Sequence, residues 1–145
     1  MMRTTLRALL ALLGVSAVLI ALSILLAGAA ATAQGAERAF DLLAGRAGTP
    51  PEPWPATMDN ELRFYAALWG GYGLLLLATA RDLAARGSWV PWLSAVFFAG
   101  GVGRGLSLAS VGAPHPFFLA LMVTELTLPV LFMGLWLAIG RGDAR

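Results

Sequence analysis

The chain has 145 residues, of which 59% are hydrophobic and only 12% charged, whereas a soluble domain of this size carries about 25% charged residues. A positive mean hydropathy agrees, so the solvent for most of the chain is lipid. The formal charge of +2, carried by scattered rather than clustered basic residues, argues against a nucleic-acid partner. The absence of cysteine excludes disulfides, thiolate chemistry and cysteine metal sites. All ten basic residues are arginine, as a GC-rich bacterial genome would favour.

The first apolar stretch, about Leu6–Ala33, follows Arg3 and Arg7 and ends in Ala31-Thr32-Ala33. Those flanks suit a signal peptide, but the run exceeds the usual ~7–15 apolar residues of one, and length favours an uncleaved membrane helix. An outer loop over 34–60 follows. Within it Glu37–Ala44 places Phe40, Leu43 and Ala44 on one helical face, which suits a short helix lying in the outer membrane interface. Gly48–Pro55 holds four prolines in eight residues and must be extended or turning. Three further stretches, Leu62–Ala80, Trp89–Val111 and Phe117–Ile139, each approach the ~20 residues that cross a hydrocarbon core. None alternates as a barrel strand would. Short links at Arg81–Ser88 and Gly112–Pro116 make consecutive helices antiparallel neighbours. The expectation is an all-α membrane protein, a single four-transmembrane-helix antiparallel bundle with a short outer interfacial helix.

Arginine asymmetry sets the orientation. With the N-terminus inside, cytoplasmic segments hold Arg3, Arg7, Arg81, Arg86, Arg141 and Arg145, and the outer side holds Arg38, Arg46 and Arg63. This bias follows the positive-inside rule and predicts a multi-pass protein of the bacterial inner membrane with both termini cytoplasmic. Trp89, Trp92 and Trp136 then form an aromatic belt at the cytoplasmic interface.

Two ionisable residues interrupt apolar stretches: Arg104 and Glu125. Such charges are expensive in lipid, face a bundle interior and find partners. Counting residues from the stretch ends at about 1.5 Å each puts both roughly 10–12 Å below the outer surface, so a direct ion pair is expected. Gly101 and Gly105 bracket Arg104 in a GxxxG spacing that admits a close backbone, and Ser107 lies one turn on. Pro129 frees the carbonyl of Glu125, for which Arg104, Thr124 and Thr127 are candidate donors. Glu61, Tyr65, Leu68 and Tyr72 share one stripe of the second helix and could face the same interior. His115, the only histidine, sits between Pro114 and Pro116. A lone loop histidine suits a turn better than a metal site, and no metal or other cofactor is expected. No nucleophile–base motif, HExxH or P-loop is present, so no catalytic residue is assigned and an enzyme is the least favoured class.

Three passages, DNELRFYAALWGGYGLLLL, FFAGGVGRGLSLASVGAPHPFF and the Glu125 of VTELTLPVL, resemble the bacterial membrane family known as domain of unknown function 4345. The resemblance covers roughly Leu6 to Ala138. It implies the four-helix architecture and argues against a cleaved signal peptide, and it carries no catalytic role. Glu61, Arg63, Tyr65, Arg104 and His115 are the polar members of the matching motifs. There is also a looser likeness, in helix arrangement only, to DoxX-type four-helix membrane proteins.

The leading expectation is therefore an outer-leaflet polar pocket of Glu61, Tyr65, Arg104 and Glu125 with His115 at its mouth. Its partners would be membrane lipid and a small anionic or lipid-like ligand. Alternatives remain open: a non-catalytic accessory subunit whose GxxxG surface meets partner helices or a second copy, with Arg104–Glu125 as a structural clamp, or proton or solute movement through Glu125 and Glu61.

Overall fold

A computed structural model of the chain describes residues 1–48, 50 and 54–143, and side chains as far as 140. Most of the proline-rich Gly48–Pro55 segment's central residues (49 and 51–53), together with Arg145, lie outside the described residues. Among those described, all regular structure is helical: α1 Met2–Ala27, α2 Ala29–Leu43, α3 Ala56–Arg81, the short α4 Leu83–Arg86 running through a 3-10 turn at Gly87–Trp89, α5 Val90–Val111 and α6 Pro116–Asp143.

Three of these segments, Met2–Ala27, Leu83–Val111 and Pro116–Gly140, are long and apolar enough to cross a membrane, the pattern of a membrane protein. The helix α3 has 26 residues but is not among the three. Asp59, Glu61 and Arg63 occupy its first turns, and Trp69, Gly70, Gly71 and Tyr72 dilute its middle.

The expected helix over 6–33 divides at Gly28, whose φ of 92° and ψ of 157° lie outside helical space. The chain then resumes as α2, so the short helix expected over Glu37–Ala44 is the later part of a longer one that begins at Ala29 and ends at Leu43. The sequence pattern concealed the break because small apolar residues flank Gly28 on both sides. On α2 Phe40 is half-buried, while Leu42 and Leu43 are exposed.

The chain forms two compact units, 1–12 with 76–145, and 13–75. In the first, α5 and α6 are the main packed pair, and Leu6, Leu10, Leu76, Val90, Phe97 and Phe132 are buried. Arg7 donates from Nε to the carbonyl of Ala80 at 2.9 Å and from Nη2 to that of Arg81 at 3.0 Å. These carbonyls end α3 with no helical partner, and a cation there complements the negative end of the helix dipole. In the second unit, Gly73 lets α1 and α3 approach closely: a Cβ there would meet the Gly14 carbonyl oxygen at 2.9 Å.

Candidate functional site

Proline and histidine set up the start of α6. Pro116 suits the first helical position, where a missing N–H costs nothing, and His115 caps the turn before it. Its Nδ1 accepts from the Phe117 N–H at 3.2 Å, and its carbonyl oxygen accepts from the Phe118 N–H at 2.9 Å. His115 is half-buried and serves the helix start, in keeping with a turn residue.

Two and a half turns into α6, Glu125 reaches Arg104 on α5. The Arg104 Nε donates to Glu125 Oε2 at 2.7 Å, so the expected pair forms. Glu125 is only 7% exposed, whereas the Arg104 side chain is 38% exposed. The Phe118 ring lies beside the guanidinium, with its centroid 5.8 Å from Cζ, close enough for a cation–π attraction.

The glycines before Arg104 explain how a carboxylate seats against α5. A Cβ at Gly101 would come within 2.9 Å of Leu126 and 3.0 Å of the Glu125 Cβ, and one at Gly100 would stand 3.9 Å from Glu125 Oε2. Gly105, the other end of the GxxxG spacing, meets nothing within 4 Å. The close approach therefore rests on Gly101, and Gly105 takes no part in it.

The other expected donors behave differently. Arg104 binds the carboxylate and not the carbonyl freed by Pro129, which lies within α6. Thr124 and Thr127 donate instead to the carbonyls of Ala120 and Val123, each four residues earlier, at 3.0 and 2.8 Å. Ser107 is exposed, and its carbonyl accepts from Ser110 at 3.5 Å. Among the described residues, the Arg104 Nη1 and Nη2 atoms donate to no protein acceptor.

Glu61 and Tyr65 belong to the second unit. Glu61 is exposed, and Tyr65 is 57% exposed, in edge contact with Phe64 at 5.6 Å between centroids. Tyr72 alone of their stripe is buried, stacked on Trp69 at 5.1 Å.

Sequence reasoning missed a second polar centre at the Gly28 break. Asp59 Oδ1 accepts from the Ala29 N–H at 3.1 Å, and Arg63 Nε donates to Asp59 Oδ2 at 2.7 Å. Arg63 Nη1 also donates to the Leu25 carbonyl at 2.6 Å. One carboxylate thus serves the open start of α2 and one guanidinium the open end of α1. The Arg63 guanidinium first, then the Ala29 N–H, holds the Asp59 carboxyl below the usual carboxylate range. Its one sequence signal is the i, i+4 spacing of Asp59 and Arg63.

A family model described as Domain of unknown function (DUF4345) matches residues 5–137. No curated protein and no solved structure matches the chain.

Proposed function

The chain belongs to the DUF4345 family, and we propose that it is a four-span protein of the bacterial inner membrane that holds a lipid-like ligand at Arg104. In this reading the Leu62–Ala80 part of α3 is the fourth crossing, with Asp59 outside the hydrocarbon, consecutive crossings are antiparallel, and both termini are cytoplasmic. Arginine asymmetry supports that orientation, and α2 then follows the first crossing along the outer interface. Arg104 and Glu125 fall in the outer half of the membrane, with His115 at the outer surface.

One observation carries the ligand reading. Arg104 meets Glu125 through Nε alone, and the rest of its guanidinium has no protein acceptor among the described residues. A guanidinium has five N–H donors, and donors left unmet in hydrocarbon are costly. Arginine–carboxylate pairs are frequently bidentate, and this one uses Nε alone. An anchored arginine with its outer edge open instead suits a ligand head that is anionic or accepts hydrogen bonds. Glu125 fixes the arm, and Phe118 flanks it.

The test is native mass spectrometry on protein released from its membrane in mild detergent. Wild type should retain a lipid-like molecule, and Arg104→Lys, which keeps the charge but not the planar fork, should retain less. Reporter fusions in the 48–55 loop and at the C-terminus should lie on opposite sides. A bare protein in both forms, or both reporters on one side, would sink the reading.

A second reading, a subunit that docks a partner membrane helix, is favoured by the open space at Gly103 and Gly105. Small residues with nothing against them admit another backbone closely. In that case the same spectra would show a bound protein chain or a second copy in place of lipid.

A further inference from the structure

The charge state of the Arg104 site narrows the ligand class, provided that the site takes a ligand as proposed above. We infer that the head recognised by Arg104 is a neutral hydrogen-bond acceptor, an ester or amide carbonyl on an apolar molecule, and not a carboxylate or phosphate.

Glu125 lies 2.7 Å from Arg104 Nε and is 7% exposed, so the positive charge is met inside the protein at short range. The pair as a whole carries no net charge. An incoming anion at the Nη edge would be drawn to the guanidinium but repelled by the Glu125 carboxylate just beyond it. It would also surrender its hydration, and that loss is recovered only against an unneutralised countercharge. A carbonyl oxygen has little hydration to surrender, and it still accepts from two N–H groups that remain strong donors because the guanidinium is ionised.

Depth points the same way. A site about 10 Å below the surface lies beneath the phosphate layer, so a phosphate would have to leave its own solvent to reach it. Ester carbonyls lie closer to the hydrocarbon. The Phe118 ring beside the guanidinium supplies an apolar flank for the chain that carries the carbonyl.

The probes are dioleoylglycerol, a neutral diester, and oleate at a pH where it is ionised, offered in equal amounts to the purified full-length protein. Native mass spectrometry reads which is retained. Wild type should prefer dioleoylglycerol, and Arg104→Lys should weaken its retention by about ten-fold, the scale of one lost charge-assisted hydrogen bond. Glu125→Gln removes the neutralising charge and should shift the preference toward oleate. A wild type that prefers oleate would overturn the neutral class while leaving Arg104 as the anchor. Retention of neither probe, or equal retention of both by wild type and by Arg104→Leu, would remove the anchor as well. The competition on wild type needs no variant to fold.

Discussion

Two arginine–carboxylate pairs in this chain have the same bond length and different meanings. Arg63–Asp59 and Arg104–Glu125 both join Nε to a carboxylate oxygen at 2.7 Å, with arginine side chains 39% and 38% exposed. Distance and exposure of the cation therefore do not separate them; their other partners do. Arg63 spends a further donor on the Leu25 carbonyl, and Asp59 spends an oxygen on the Ala29 N–H, so both charges answer backbone groups stranded at Gly28. Among the described residues Arg104 answers no backbone group, and its acid is buried. The first pair is accounted for by the helix break that it closes. The second exceeds what joining two helices requires, and that surplus motivates a ligand.

The largest effect should come from unbalancing the second pair. Arg104→Leu leaves Glu125 buried without a countercharge, a loss of about 3–5 kcal/mol. Glu125→Leu should cost less, because a long, partly exposed arginine can extend toward the interface. The double change should cost less than the sum of the two. Unfolding by SDS titration in mixed micelles gives all three values, and strict additivity would mean that the two side chains do not depend on each other.

A smaller loss is expected at the first pair when its geometry, and not its charge, is changed. With φ at 92° and ψ at 157°, Gly28 occupies a region essentially closed to other residues, where an L side chain costs about 1–3 kcal/mol. An added Cβ would also stand 3.1 Å from Arg63 Nη2 and 3.2 Å from Asp59 Oδ1. Gly28→Ala should therefore lower the unfolding midpoint in the same titration. If the midpoint stays put, α1 can run straight into α2 without cost, and the pair is not needed at the junction.

The contrast also marks what could be read from residues alone. Arg104 and Glu125 stood out because a charge in an apolar run has few explanations, and matched depths were enough to pair them. The helical class and the Met2–Ala27, Leu83–Val111 and Pro116–Gly140 segments were legible for the same reason: long apolar runs admit one backbone solution in lipid. The Gly28 break was not legible. A glycine among alanines and leucines is common in membrane helices, and the groups that stabilise the break lie some thirty residues away in sequence at Asp59 and Arg63. The stripe of Glu61, Tyr65, Leu68 and Tyr72 shows the opposite error. Helical spacing puts residues on one face, but burial differs along it, and only Tyr72 is buried.

The smallest effect, and the one that isolates charge at the first pair, is its dependence on acid. Asp59 is held below the usual carboxylate range by Arg63 and by the Ala29 N–H, so its ionised form is favoured in the folded chain relative to the unfolded one. A group with a lowered folded pKa contributes stability that is present in full above its ordinary, unfolded value and is lost as pH falls through the lowered one. Asp59→Asn keeps an oxygen for the Ala29 N–H but removes the charge that Arg63 meets. Wild type should thus exceed the variant slightly at neutral pH, and the gap should close as pH falls below the ordinary aspartate range. Added salt should narrow the gap at neutral pH, because both side chains are partly exposed. Thermal unfolding of the two proteins side by side removes the contribution of the other carboxylates, which titrate in both. A gap that persists unchanged into acid would assign the junction to backbone hydrogen bonding alone, and the likeness between the two pairs would end at their bond lengths.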